Sequence, residues 1–159
     1  MKNRRRSLTL IELLVVVAIV GVGIGLFYSI LFTNWLFYNS EISRLDLQED
    51  SESVFMALEE DIMEAGKLKL FSAGVPLSTI TLLYISRPEI TYTIANDGQL
   101  IRSVGGQSVV LTRRLEPGTS FFQTDFQNSV ICNLIFLDRP LGKAVRFQAR
   151  KEINLRNQI

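Results

Sequence analysis

The sequence predicts an α+β fold in which one long N-terminal helix packs on an antiparallel β-sheet. Residues 8–36 form an almost continuous apolar run, long enough for a helix that crosses a membrane. Further along, Phe55, Leu58 and Ile62 recur at the three- and four-residue spacing of an amphipathic helix. After Leu68 the pattern changes to the alternation of short β-strands. With 159 residues, the chain has room for the span and one modest globular domain.

The apolar run carries the features of a retained membrane helix. Residues 13–32 contain no charged side chain, and about twenty such residues are needed to cross roughly 30 Å of hydrocarbon. The run is not followed by the small residues of a secretory cleavage site, so we expect the helix to stay. Lys2 and the arginines at 4–6 precede it. Basic residues stay on the cytoplasmic side, which predicts a cytoplasmic N-terminus and an exported C-terminal part.

Glu12 is the one charged residue within this run. A carboxylate in an apolar segment costs a few kcal/mol, less near the end of the span than at its centre, and marks a functional candidate. Alternatively, Glu12 lies at the level of the inner headgroups, where a negative charge favours the helix N-terminus. The residue pattern alone leaves both interpretations open.

The segment S-L-T-L-I-E-L-L at residues 7–14, after a short basic leader, resembles the type III signal sequence of type IV pilins and type II secretion pseudopilins. In that family a membrane peptidase cuts before the apolar run, and the new terminal amine is N-methylated. The resemblance implies cleavage between Ser7 and Leu8 and methylation of Leu8. Two residues depart from the family pattern, since Ser7 stands where glycine is usual and Leu8 where phenylalanine is usual.

The resemblance also gives Glu12 a role, because it would be the fifth residue of the mature chain and the family's characteristic glutamate. In a filament, the Glu12 carboxylate of an incoming subunit would pair with the Leu8 amine of a neighbour. Each charge is costly in a low-dielectric medium without the other. The implied partners are a prepilin peptidase, other pilin or pseudopilin subunits, an inner-membrane assembly platform and membrane lipid. Removal of the leader would change the formal net charge from +1 to −3.

Four segments are expected: a leader at 1–7, a transmembrane and filament-core helix at 8–38, an amphipathic extension at 39–66, and an antiparallel β domain at 67–159. Within the span, Gly21 and Gly25 have the small-xxx-small spacing that lets membrane helices approach closely. They are predicted to be helix-packing positions.

The extension is predicted to bury one helical face that includes Ile42 and Leu45 at its start and Ala65 near its end. Residues 46–53 are mostly polar and are expected to form a neck with little to pack against. Gly66 supplies a stop signal.

The β domain is predicted to contain six strands, joined by short connections that favour antiparallel pairing. N-D-G at residues 96–98 and Gly105-Gly106 are tight-turn sequences, and P-L-G at 140–142 marks another reversal. The apolar face of this sheet would cover the amphipathic helix. The predicted strands are residues 79–86, 90–94, 100–104, 109–115, 129–137 and 144–150.

The residue types present disfavour an enzyme. The chain has no histidine, which excludes Ser-His-Asp and Cys-His arrangements and the H-E-x-x-H zinc motif. We therefore predict no catalytic residue, cofactor or metal. The acids between Glu59 and Glu64, including Asp61, lie on a predicted helix without a calcium-binding loop, so they are expected to form a solvated face. Cys132, the single cysteine, lies in an apolar strand-like run and is predicted to be a buried thiol.

Charge is segregated along the chain. Residues 41–64 hold nine acids and one base, whereas residues 87–159 hold ten bases and six acids. These regions could meet within one subunit or between subunits. Clustered bases also raise the possibility of DNA contact, which is less favoured than contact with other subunits. The bases concerned are Arg113, Arg114, Arg139, Lys143, Arg146, Arg150 and Lys151.

The leading hypothesis is a non-enzymatic minor pilin or minor pseudopilin. Residues 55–66 resemble the corresponding helix of J-type minor pseudopilins and related minor pilins. Such a subunit would reside in the bacterial inner membrane and then start or cap a type IV pilus, a competence pilus or a type II secretion pseudopilus. One alternative is a bitopic membrane protein whose exported domain binds a ligand or partner. Another is a DNA-binding subunit of an uptake pilus.

Overall fold

The computed structural model describes residues 9–69, 74–124 and 129–155. The chain divides into two units, Met1–Glu41 and Ile42–Ile159, which are described separately below. Helix α1, Leu10–Glu64, contributes residues to both units. The predicted fold class is confirmed, because this helix is accompanied by antiparallel β-sheets.

In the N-terminal unit, residues 10–41 are helical and almost all of their side chains are exposed. An aqueous protein would not leave so many large apolar side chains in contact with water. Among the residues that the structure describes, α1 is the one helix whose length and composition allow it to cross a membrane. A signal sequence near an N-terminus can have the same length and composition. The segment boundaries given above remain predictions.

The C-terminal unit combines residues 42–64 of α1 with two sheets. In the first sheet, five strands pair in chain order: β1 Lys67–Leu68, β2 Thr79–Leu83, β3 Ile90–Ile94, β4 Leu100–Val104 and β5 Gln107–Thr112. In the second, three strands also pair in chain order: β6 Phe121–Thr124, β7 Ser129–Asp138 and β8 Val145–Asn154. All pairs are antiparallel.

The sequence predicted one sheet, whereas the structure forms two, which meet at isolated bridges between Leu77 and Phe122 and between Leu115 and Phe136. The predicted bounds of β3 and β4 are confirmed. Strand β1 has two residues and β6 has four, too few for alternation to stand out from a loop. Strand β8 runs four residues beyond its predicted end, because each added residue pairs with a β7 residue.

The core lies between one face of α1 and the inward residues of the strands. Phe55, Leu58, Ile62 and Ala65 are all buried as predicted. The helix buries further residues at Ser43, Leu47, Ser51 and Val54. The core residues from the strands are Ile80, Leu82, Ile90, Tyr92, Ile94, Leu100, Phe122, Val130, Cys132, Leu134, Phe136 and Ile153.

Two predictions about the start of this helical face were wrong. Ile42 and Leu45 are 38% and 64% exposed, and the expected neck contains Leu47, which is 0% exposed. The buried face includes Ser43, Leu47 and Ser51, one helical turn apart, and two of these three residues are polar. Serine is small enough to be buried there when its hydroxyl is satisfied, and Ser51 Oγ donates to the carbonyl of Gln48 at 3.0 Å.

The predicted turn at residues 96–98 is confirmed and requires its glycine. Gly98 has a φ of +83°, and a Cβ at this position would lie 2.3 Å from the backbone oxygen of Leu115. The amide of Leu115 in turn donates to the Gly98 carbonyl at 3.0 Å. The turn thus holds the segment after β5 close to the β3–β4 hairpin.

Candidate functional site

The first turn of α1 contains three reciprocal hydrogen bonds between Thr9 and Glu12. The Thr9 amide and hydroxyl both donate to Glu12 Oε2, at 2.9 and 3.0 Å. The Glu12 amide is 3.3 Å from Thr9 Oγ1 and donates to it. This is a capping box, in which each side chain satisfies the other residue's backbone N–H at a helix start.

The capping box fixes where the Glu12 carboxylate lies. It is held back toward the helix N-terminus, where the aligned peptide dipoles favour negative charge. Because two donors already bind it, placing it at the edge of an apolar segment costs less than placing a bare carboxylate there. Ser7 and Leu8, the predicted cleavage and methylation residues, lie outside the described residues.

The predicted packing glycines lie on one open face of the helix. Gly21 and Gly25 are one turn apart, and a Cβ added to either would meet nothing within 4 Å. Further along the helix, the rings of Tyr28 and Phe32 stack at 6.4 Å, and Trp35 follows at 6.1 Å from Phe32. The use of the glycines for helix packing stays a prediction.

Within the C-terminal unit, the main polar cluster is centred on Asp61, on the buried face of α1. Its side chain is 6% exposed. Arg102 of β4 binds it with two hydrogen bonds, Nε to Oδ2 at 2.7 Å and Nη2 to Oδ1 at 3.1 Å. The Tyr92 hydroxyl of β3 donates to Oδ2 at 2.6 Å. We call these three residues the Asp61 latch, since they join the helix to two neighbouring strands.

Next to the latch, the β2–β3 connection closes the end of the helix. The Tyr84 hydroxyl donates to the carbonyl of Asp61 at 2.6 Å, one of the last carbonyls that lack a helical partner. Arg87 Nη2 lies 2.7 Å from Glu64 Oε2, and its guanidinium stacks on the Tyr84 ring at 3.9 Å. The last turn of α1 has no basic residue of its own, so Arg87 supplies the cation that the C-terminal dipole favours.

The latch and the neighbouring Tyr84 have altered proton affinities. Burial, followed by the negative charge of Asp61, raises the pKa of Tyr84 to about 12. Burial and the hydrogen bond to Asp61 also raise the pKa of Tyr92. The hydrogen bond to Asp61 raises the pKa of Arg102 above its already high range. The tyrosines are therefore neutral donors and the arginine stays charged at any physiological pH.

The expectation that the helix acids form a solvated face was wrong for Asp61, whereas Glu60 and Glu64 are exposed as expected. Asp61 is buried, and its neighbours on the helix also bind bases of the β domain. The segregated charges therefore meet within one subunit. The additional pairs are Asp50 with Arg114 at 3.3 Å, Glu59 with Lys151 at 2.5 Å, and Asp61 with Arg87 at 3.8 Å.

The sequence contained a signal for the latch that the prediction did not use. Asp61 follows Leu58 by three residues and directly precedes Ile62, so it falls on the same apolar face. A carboxylate on a buried face requires a partner. Arg102 lies two residues after Leu100 in β4, and the other residues of this strand are mainly apolar.

Cys132 is 0% exposed, so the prediction of a buried thiol is confirmed. Burial raises its pKa to about 12, which leaves it protonated and unreactive. Over the described ranges, no group of three or more acidic or cysteine side chains is arranged to hold a metal ion. The polar clusters of this unit hold a helix on its sheets rather than present a nucleophile or base to a cleft.

Comparison with known proteins gives one match, at the N-terminus. Residues 2–28 match the family model of the prokaryotic N-terminal methylation motif. No curated protein and no solved structure matches the chain. The match and the apolar helix fit anchoring in the inner membrane.

Proposed function

This chain carries the prokaryotic N-terminal methylation motif, the signal of type IV pilins, and we propose that it is a minor pilin or minor pseudopilin. In this proposal it is a structural subunit that starts or caps a type IV pilus, a competence pilus or a type II secretion pseudopilus. The single observation that carries the proposal is the methylation motif at residues 2–28. The capping box supports it from the structure.

We propose processing between Ser7 and Leu8, before the first turn of α1. Helix α1 begins at Leu10, and Thr9 caps it. The cap gives the helix a defined first turn. In this proposal, a prepilin peptidase removes residues 1–7, and Leu8 then carries the methylated amine.

The capping box also suggests which groups bind the Glu12 carboxylate before assembly. Before assembly, its oxygen accepts from the Thr9 amide and hydroxyl of its own chain. During assembly, we propose that the carboxylate binds the positively charged Leu8 amine of a neighbouring subunit. In a low-dielectric medium each of these charges is costly without the other, which favours the exchange. The open face at Gly21 and Gly25 would allow close approach of the neighbouring helix.

The first experiment is mass spectrometry of the protein purified from its native membrane. We expect a chain of 152 residues that starts at Leu8 and carries one methyl group, because seven of the 159 residues are removed. A native chain that starts at Met1 would refute the proposal and favour the membrane-anchored binding domain.

The second experiment separates the charge of Glu12 from its capping function. Glutamine keeps an oxygen acceptor for the Thr9 amide but has no charge, whereas Glu12→Ala removes both. We expect both variants to insert and be cleaved, and both to fail in filament incorporation. Normal incorporation of Glu12→Gln would refute charge pairing and leave capping as the function of Glu12. Thr9→Ala is the matched control for loss of the cap alone.

The contacts of the β domain give less support to DNA binding. Arg114, Arg146 and Lys151, three of the seven bases considered for such a patch, are already paired with carboxylates of the same chain. Phosphate binding depends on bases whose charge is not neutralised. We therefore propose other subunits, and the assembly platform, as the partners of the exported domain.

A further inference from the structure

The turn that joins β7 to β8 holds an exposed leucine in an unfavourable backbone conformation. Leu141 has φ 53° and ψ 31°, and it is the one non-glycine residue with positive φ in the described ranges. Gly142 follows with φ 79°, and the Lys143 amide donates to the Pro140 carbonyl at 3.0 Å. These are the features of a type I′ turn, whose first central position favours asparagine, aspartate or glycine.

The leucine side chain gains nothing from folding that would offset this conformation. The side chain is 61% exposed. Its left-handed backbone is unfavourable because the leucine has a Cβ. Backbone strain at an exposed position, where packing does not offset it, indicates a functional role for the residue. Arg139 and Lys143 flank it, are exposed, and have no side-chain partner among the residues that the structure describes. Residues 139–143 are called the hairpin tip below.

The contacts of the C-terminal unit show where the hairpin tip lies along the helix. Lys151 of β8 binds Glu59 at 2.5 Å. Nearer the tip, Gln148 and Ala149 line a groove together with Ser51 and Phe55 of the helix. These contacts place residues 148–151 of β8 beside residues 51–59 of the helix.

A further contact extends this alignment toward the tip. Asp50 binds Arg114 at 3.3 Å, and the Arg114 carbonyl accepts from the amide of Leu137 at 2.6 Å. Leu137 pairs with Arg146 of β8, so Arg146 is level with Asp50. From Asp50 to Ile42 the helix rises about 12 Å at 1.5 Å per residue. From Arg146 to residue 143 the strand and turn cover about 10 Å at 3.3 Å per residue. The hairpin tip therefore lies toward the Ile42 end of the unit.

Ile42 is the end of this unit at which the chain connects to the predicted span. The span is expected to end at Tyr38, four residues earlier, and four residues reach at most about 14 Å. This limit holds for any relative orientation of the two units. Ile42 is therefore tethered within about 14 Å of the expected end of the span.

We propose that the hairpin tip contacts the lipid headgroups of the membrane that α1 spans, with Leu141 entering the interface and the two bases binding anionic headgroups. An apolar side chain flanked by lysine and arginine suits the boundary between headgroups and acyl chains. Because the tip is tethered, its effective concentration at the surface is high, and a weak contact is sufficient. The inference rests on the membrane anchoring in the proposed function, and not on filament assembly.

The test measures how closely the tip approaches lipid in the full chain, reconstituted alone in nanodiscs that contain phosphatidylglycerol. A fluorophore is attached through Ala144→Cys, next to the tip, and quenched by lipids with a headgroup nitroxide. The matched control is Ile85→Cys. Ile85 is 77% exposed and lies beside Gly66 at the other end of the helix, about 33 Å from Ile42 by helical rise. The parent chain should take up no label, because Cys132 is buried.

We expect at least threefold stronger quenching at position 144 than at position 85. Leu141→Asn, which suits the type I′ turn and removes the apolar side chain, should reduce quenching at 144 to the control level. Arg139→Gln combined with Lys143→Gln should reduce it at least twofold. Equal quenching at positions 144 and 85 would overturn the proposal, as would full quenching in the Leu141→Asn variant. Processing at Leu8 is measured separately, so failure here is distinguishable from failure of the proposed function.

Discussion

Replacement of Asp61 by asparagine tests whether the latch holds the helix on its sheet. The carboxylate is 6% exposed and accepts two hydrogen bonds from Arg102 and one from Tyr92. Asparagine keeps one oxygen but turns an N–H₂ group toward the guanidinium. Loss of one partner costs about 3–5 kcal/mol for a buried ion pair and about 0–1 kcal/mol for an exposed one. Because Arg102 is 31% exposed, we expect an intermediate loss of about 2–4 kcal/mol.

The assay uses Cys132 as a built-in reporter of unfolding. It is the single cysteine of the chain and is 0% exposed, so a thiol reagent reaches it only when the C-terminal unit opens. The full chain in detergent micelles would be titrated with urea and labelled briefly, and the labelled fraction measured by mass. With a urea dependence of about 1–3 kcal/mol/M for small proteins, Asp61→Asn should lower the midpoint by about 1–2 M.

The control is the same kind of change in an exposed pair. Lys69 and Glu89 are 3.0 Å apart, and both side chains are 51% exposed. Glu89→Gln should therefore change stability by less than about 0.5 kcal/mol. Arg102→Met should resemble Asp61→Asn, and the double variant should lose at least about 1 kcal/mol less than the sum of the two. A midpoint for Asp61→Asn no lower than that of Glu89→Gln would refute the reasoning.

Three further predictions concern the same unit. Gly98→Ala should lower the free energy of unfolding by more than about 3 kcal/mol, because its Cβ would collide with the Leu115 carbonyl. Gly106 has a similar φ but open space around it. As the control, Gly106→Ala should lower the free energy of unfolding by only about 1–2 kcal/mol in the same urea titrations. Leu141→Asn should leave stability unchanged or raise it by up to about 1 kcal/mol, and a loss of more than that would contradict the turn assignment. Stability should fall as pH rises from about 9 toward 12. Burial raises the pKa of the folded Cys132 thiol to about 12 from its ordinary value of 9.0. The thiol therefore ionises in the unfolded chain before it ionises in the folded chain, which favours unfolding. Cys132→Ala, followed by circular dichroism, should flatten the part of this slope between pH 9 and 10, where the tyrosines contribute little.

Much of the fold was accessible from local pattern. The helix from Leu10 to Glu64 follows from an apolar run and a 3.6-residue repeat, and β3 and β4 from alternation bounded by turn residues. The candidate residue Glu12 was found because a charge in an apolar run is conspicuous. Its bond to Thr9 was also within reach of the sequence, since T-x-x-E at a helix start is a capping box.

Two of the errors concern buried polar residues. Ser51 and Asp61 were assigned to solvated surfaces because their side chains are hydrophilic, yet they are 4% exposed. Burial of such groups depends on whether a partner reaches them. Sequence position alone gives no list of partners, because Arg102 lies 41 residues from Asp61.

The sequence by itself determined the membrane-compatible helix, its signal-like start, the amphipathic extension and most strands, since each depends on interactions between residues a few positions apart. The tertiary structure alone decided the division into two sheets, the pairing of helix acids with bases of the β domain, and the left-handed backbone of Leu141. The first two of these features bring together residues 21 to 92 positions apart in sequence. Their distances follow from the path of the whole chain, which no local periodicity specifies.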